Sequence, residues 1–321
     1  MAEGVNLARD LVNEPANIAN PVGIADRVTK FFAGMNVEVD IHDEKYLEEN
    51  GFGGIIAVGK GSNIPPRLVV IKYTPKKDSA PIALIGKGVC FDSGGLDLKP
   101  REGMERMKID MAGAAAVIGT IYVIAKLSLP VNVIGVVPLV ENMPSGNATK
   151  PGDVVRMYNG KHVEIVNTDA EGRLILADAL AFAEKNFSPK HLIDLATLTG
   201  ACVVALGNRI AGIMGNDKEL INTLIRIGRE TDELLWELPL HDEYRDDLKS
   251  EVADLRNIGR NRVAGAIIGG LFLSEFIDST SWVHLDIAGV VYSDKDRELY
   301  PKGATGFGVK LLVSYIMNAI R

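Results

Sequence analysis

Cysteine and histidine are scarce in this chain, two of the first and five of the second in 321 residues. Cys90 and Cys202 stand far apart in apolar runs, GVCF and GACVVAL. They can form no disulfide framework, so a reducing cytoplasm is the default compartment. Both read as buried small hydrophobes rather than reactive thiols. The five histidines, His42, His162, His191, His241 and His284, nowhere form H-x-x-x-H or H-x-x-E-H, so zincin-type metalloproteases are not supported. No G-x-S-x-G occurs either, so a serine-hydrolase elbow is not supported, and Ser93 reads as a turn residue. Long apolar runs are missing too. Residues 131–140 and 195–206 fall short of the ~20 a membrane span needs. The first residues, MAEGVNLARDLVNEP, lack a charged segment followed by an apolar one, so no secretory signal is visible. Basic residues number 35 against 42 acidic, a net charge of −7. That balance argues against a nucleic acid or an anionic membrane as the main partner.

What is present is an ordinary globular composition, 47% apolar and 24% charged. At ~150 residues per domain the length allows two domains. No Pro/Ser/Gly-rich linker or repeat divides the chain, so one domain fits better. The spacing of apolar residues predicts helices within residues 1–32, the second opened by Asn20-Pro21, and over 43–50, 112–127, 173–185, 220–235, 264–277 and 309–320. β-branched apolar runs predict strands at 37–41, 68–73, 82–85, 131–140, 191–195 and 282–287. Asn159-Gly160 predicts a hairpin between 154–158 and 162–166. Alternating strands and helices predict an α/β fold: a single domain with a central mixed, mostly parallel β-sheet covered by helices on both faces.

The glycines of 51–54 and 59–61 do not have phosphate-loop spacing and read as turns. Three other segments carry chemistry: IGKGVCFDSGGLDLKP at 85–100, MKIDMAG at 107–113 and NTDAEGRL at 167–174. Lys87 and Asp92 sit where an apolar strand runs out into a Gly-rich turn, which is where α/β sheets place their sites. Alone, Asp110 reads as an N-cap. Asp169 and Glu171 are two apart and point to one side of an extended chain. Together these four carboxylates would make an oxygen-rich cage for divalent ions, large enough for two if some ligands are shared. Lys87 could pair with a carboxylate as an ammonium or ligate as a neutral amine. Arg173 opens a helix whose N-terminus favours anions, and Lys99 adds fixed positive charge.

These three segments resemble the leucyl aminopeptidase (cytosol aminopeptidase) family. NTDAEGRL matches that family's signature in full. ENMPSG at 141–146, PGDV at 151–154, DLATLTGA at 194–201 and HLDIAG at 284–289 also match, so the resemblance covers essentially the whole chain. It implies one metal on Lys87, Asp92, Asp110 and Glu171, and a more exchangeable one on Asp92, Asp169 and Glu171. The ions would be Zn²⁺ or Mn²⁺, with Mg²⁺ or Co²⁺ as further candidates. Under the resemblance Lys87 is a neutral ligand, Lys99 stabilises the oxyanion of a gem-diolate, and Arg173 holds a bicarbonate that serves as general base. Met107, Asn167, Thr197, Gly200, Ala288 and Val291 would line a mostly apolar pocket for a Leu-like N-terminal residue. Preference should be broad, since one methylene is worth only ~1–3 kcal/mol in such a pocket. The resemblance further implies peptide substrates, a hexamer or trimer, and a chain that begins near the start of the family's catalytic domain, without its usual N-terminal domain. Two other readings compete: a two-metal phosphoesterase, and a non-catalytic DNA-binding or scaffold role.

Overall fold

The computed structural model describes residues 1–261, 263–296 and 301–320. Its centre is a nine-stranded sheet. Across it lie Glu38–His42, Arg67–Tyr73, Val133–Asn142, Ile82–Gly86, His191–Ala196, Ser281–Asp286, Ala211–Gly215 and Leu235–Glu237, while Gly88–Asp92 pairs further along Val133–Asn142. Five of the pairings are parallel and three antiparallel, so the expected mixed, mostly parallel sheet is what the chain forms.

Both faces of the sheet are covered, and the strand sequences show why. Val133–Asn142 is buried at all ten positions. Its Val133, Val137 and Leu139 enter one apolar core, and Ile134, Val136 and Val140 enter the other. Ile82 and Leu84 likewise part company with Ala83 and Ile85. This is the period of two expected of a strand between two layers. The first core is closed by Ala2–Asn13, Pro21–Phe31, Ala112–Lys126, Lys218–Thr231 and Val309–Ala319. The second is closed by Glu44–Glu49, Gly53–Gly59, Gly172–Phe187 and Gly265–Ser274. The stretch Arg101–Lys126 is long and apolar enough to cross a membrane, but 78% of its apolar window is buried inside the fold, as in a core helix.

Several expectations need correcting. The helix expected over 220–235 ends at Thr231, where Asp232 turns left-handed (φ 58°). Leu235 then opens a short strand parallel to Ala211–Gly215. Its apolar side chain suited both periods, so spacing alone extended the helix. The strands Ala211–Gly215 and Gly88–Asp92 escaped notice because glycines flank or open them. The glycines at 53–59 build a helix, not a turn. A Cβ on Gly53 would lie 2.0 Å from the Arg156 carbonyl, so close packing on the hairpin requires glycine there. That hairpin is as expected: Asp153–Arg156 pairs antiparallel with His162–Ile165. Leu255–Arg256 adds a third, parallel strand beside His162–Ile165.

Asp178 ties these parts together from the middle of Gly172–Phe187. It is fully buried, and its carboxylate accepts from the Ile55 N–H at 3.0 Å and the Tyr158 N–H at 2.8 Å. Burial pushes its pKa up to about 7, against the pull of those amides. The folded protein therefore binds this proton more tightly than the unfolded chain does. The resulting contribution to stability is fully present below pH ~4 and is lost as pH rises through about 7. Urea midpoints measured across that window should fall with pH, and Asp178→Asn should flatten part of the slope. An unchanged slope in the variant would show that Asp178 titrates normally.

Candidate metal centre and active site

The parallel strands Ile82–Gly86, Val133–Asn142, His191–Ala196 and Ser281–Asp286 end on the same side of the sheet. Their carboxyl ends carry Lys87, Asn142, Thr197 and Asp286, and Gly88–Asp92 prolongs the first to Asp92. Lys87 stands between two strands that continue one another. Its N–H donates to the Leu195 carbonyl (3.0 Å), and its own carbonyl accepts from Ala114 N (2.8 Å). The backbone is thus pinned on both sides, and the side chain can only enter the site.

There Lys87 Nζ lies 2.9 Å from Asp110 Oδ2, 2.9 Å from Glu171 Oε1 and 2.8 Å from the Thr197 carbonyl. Lys87 is 3% exposed. Burial works against its charge, but Asp110, Glu171 and Asp92 outweigh burial and raise the pKa. Lys99 Nζ bridges Asp92 Oδ2 (2.8 Å) and Asp169 Oδ1 (2.6 Å), and its pKa is raised in the same way against burial. Asp110 lies within the short 3-10 turn Met107–Met111, and the helix that follows has Met111 at its N-cap with no side-chain cap bond, so the N-cap reading of Asp110 does not apply. Its Oδ1 accepts from the Thr197 hydroxyl at 2.6 Å. Asp169 and Glu171 converge through a turn rather than an extended chain, since Glu171 is already helical (φ −78°, ψ −36°).

Asp92, Asp169 and Glu171 each offer an oxygen within 4.8 Å of the others. Burial raises the pKa of Asp110, Asp169 and Glu171, and repulsion from Asp92 adds to it. Four carboxylates meet two ammonium groups, so full ionisation would leave two negative charges uncompensated. Glu171 Oε2 is buried and takes no hydrogen bond. An all-oxygen donor set with surplus negative charge and an open buried oxygen fits divalent cations. Beside it, Arg173 is 6% exposed, and its Nη1 donates to the Asn257 carbonyl at 2.7 Å. Its Nε is buried without a partner, and burial lowers its pKa to about 10.

The six residues expected to line a substrate pocket differ in exposure and in what they bond. Met107 is half-buried at the start of the turn that carries Asp110. Thr197 spends its hydroxyl on Asp110, and Asn167 spends its Oδ1 on the Asp169 N–H (2.8 Å). Gly200 is exposed, with open space where a Cβ would stand. Ala288 is half-buried, and its N–H reaches Asp286 Oδ1 (3.2 Å), which also accepts from Leu198 N at 3.2 Å. Val291 is packed in the core at 2% exposure.

Sequence reasoning passed over the residues that hold these carboxylates. Asn142 Nδ2 donates to Asp92 Oδ1 (2.9 Å) and to the Thr168 carbonyl (3.0 Å). Asp97 and Thr168 exchange bonds of 2.7 and 2.9 Å, clamping the two acidic loops together. Their signal was present only as the matching stretches that contain them. Asn257 lies in no such stretch.

The sequence matches the cytosol aminopeptidase family, catalytic domain, over residues 6–313. A probable cytosol aminopeptidase of Geobacter sulfurreducens is 52% identical over 322 residues, covering 100% of this chain and 64% of that protein. One of Rickettsia massiliae is 50% identical over 319 residues, covering 98% of this chain and 64% of its own length. The chain thus spans 64% of the length of these curated relatives.

One glycine tests how tightly the site is built. A Cβ on Gly172 would sit 2.5 Å from Lys87 Cε. Gly172→Ala should therefore cost about 1–3 kcal/mol in urea unfolding, the usual range for overpacking. No loss of stability would mean that Lys87 is free to move aside.

Proposed function

The chain belongs to the cytosol aminopeptidase family, and from that premise we propose that it is a metal-dependent aminopeptidase. It removes the N-terminal residue of peptides, with a broad preference for Leu-like side chains. The observation that carries this reading is the convergence of Asp92, Asp169 and Glu171 around a surplus of negative charge. Asp92 and Glu171 would bridge two ions, Asp169 would complete one site, and Asp110 with Lys87 would complete the other. When bound, Zn²⁺ or Mn²⁺ supplies polarisation of the scissile carbonyl and acidification of an attacking water. A cation shared by the same carboxylates competes with the Lys87 ammonium for them, which favours the neutral amine as a ligand.

The chain's own residues do the rest. Lys99 keeps its proton between Asp92 and Asp169, so it can donate to the oxygen that gains charge as the carbonyl is attacked. Arg173 holds fixed charge at a helix start, with a buried Nε free to donate, which suits a small anion such as bicarbonate acting as base. The open space at Gly200 leaves room for a substrate side chain. Met107, Asn167, Thr197, Ala288 and Val291 would shape that pocket's walls and backing. The relatives' name, cytosol aminopeptidase, supports a cytoplasmic setting, and a homo-oligomer, hexamer or trimer, is part of the same reading.

Leucine amide hydrolysis by the purified protein tests it. Activity should need Mn²⁺ or Zn²⁺ and disappear with a chelator. Asp92→Ala and Glu171→Ala should abolish turnover. Lys99→Met should lower kcat by about 10²–10³-fold and leave KM little changed. Near-normal kcat in either alanine variant would sink the site assignment. Hydrolysis of an aryl phosphate in place of the amide would favour a two-metal phosphoesterase instead.

A further inference from the structure

The acidic loop at 166–171 is held from outside by a residue far along the chain. Asn257 is fully buried, and both ends of its side-chain amide are used. Oδ1 accepts from the N–H groups of Val166 (2.8 Å) and Asn167 (3.2 Å). Nδ2 donates to the carbonyls of Asn167 (2.6 Å) and Ala170 (3.4 Å). Its backbone N–H donates to Glu164 (3.0 Å), and its carbonyl accepts from Arg173 Nη1. One buried residue thus grips the loop before Asp169, behind it, and at the arginine that follows.

We propose that Asn257 is a positioning residue that sets the geometry of Asp169, Glu171 and Arg173. The proposal rests on the metal-site reading given above. The physical need is clear, because Asp169 and Glu171 face Asp92 within 4.8 Å and repel it. A short loop carrying two carboxylates would relax away from that repulsion unless something else fixed its backbone. The Asp97–Thr168 clamp holds one side, and Asn257 holds the other. Its strand, Leu255–Arg256, pairs with His162–Ile165, which brings Asn257 to the point where the loop begins. Asn257 touches no reacting group and acts only through the residues it orients. Two neighbouring anchors of the same segment reach the hairpin and not the acidic loop, Ser250 also closing its own turn by accepting from the Val252 and Ala253 N–H groups. Ser250 Oγ donates to Glu164 Oε2 (2.6 Å), and Asp254 Oδ2 accepts from His162 N (2.7 Å).

That difference supplies the control. Asn257→Ala, Asn257→Asp and Ser250→Ala would be compared with the parent protein in two measurements. The first is amide hydrogen exchange of the metal-free protein. The second is titration with Co²⁺, followed by its visible absorption bands. In Asn257→Ala the amides of 166–170 should exchange at least ~10-fold faster, and Co²⁺ affinity should fall by ~10–100-fold. Asn257→Asp keeps the acceptor, loses both donors and turns a carboxylate oxygen toward the Asn167 and Ala170 carbonyls, so loop exchange should rise at least as much as in the alanine variant, and it decides the matter if the alanine variant does not fold. Ser250→Ala should leave loop exchange and Co²⁺ affinity unchanged. Parent-like exchange in the Asn257 variants, or faster exchange with unchanged Co²⁺ affinity and spectrum, would overturn the proposal. If the parent itself takes up no Co²⁺, the metal reading fails, and exchange alone decides whether Asn257 fixes the loop.

Discussion

Repulsion between carboxylates gathered in one buried place is the constraint on which the rest of this structure turns. Two unit charges within 4.8 Å repel on the order of 3 kcal/mol at an effective dielectric near 20. A net hydrogen bond contributes about 1 kcal/mol, so no single bond could hold two such groups together. The fold answers with position and with charge. Lys87 is fixed by its backbone between two collinear strands, and Lys99 is brought back over Asp92 by the loop that follows it. Two negative charges still remain if all four carboxylates are ionised, and a divalent cation at the carboxyl end of the sheet would offset them.

The sheet explains why distant segments can meet there. Its parallel core strands end side by side, so Lys87, Asn142, Thr197 and Asp286 arrive together although nearly two hundred positions separate the first from the last. Two apolar cores, one on each face, hold the strands in place. The polar cost is met locally. Asp286, fully buried, accepts from the Thr199 hydroxyl and from the N–H groups of Leu198, Thr199 and Ala288. Asp194 accepts from Trp282 Nε1 and pairs with His284 Nδ1. At the site, by contrast, Glu171 Oε2 and Arg173 Nε are buried without a hydrogen-bond partner.

Much of this was legible in the sequence, and the reasons differ by element. The long strands and the helices Ala112–Lys126 and Gly172–Phe187 could be read from their apolar runs, because each packs on two sides. Leu235 was misassigned because its apolar side chain fits either period, and the left-handed Asp232 that ends the helix has no strong local signature. Glycine hid the strand Ala211–Gly215 and the helix Gly53–Gly59, where contact with neighbouring backbone, not propensity, selects it. In the site, the charged residues announced themselves by type and grouping. Asn257 and Asn142 did not, since a lone asparagine looks the same whether it is solvated or buried in a network, and only three-dimensional proximity separates the two cases.

The central claim is that these carboxylates and Lys87 together form a two-ion site. Elemental analysis of the purified protein, after equilibration with Zn²⁺ or Mn²⁺ and removal of free ion, measures it most directly. The account predicts two divalent ions per chain at saturation, one of them retained more tightly than the other. Retention of none, with the protein folded, would contradict it.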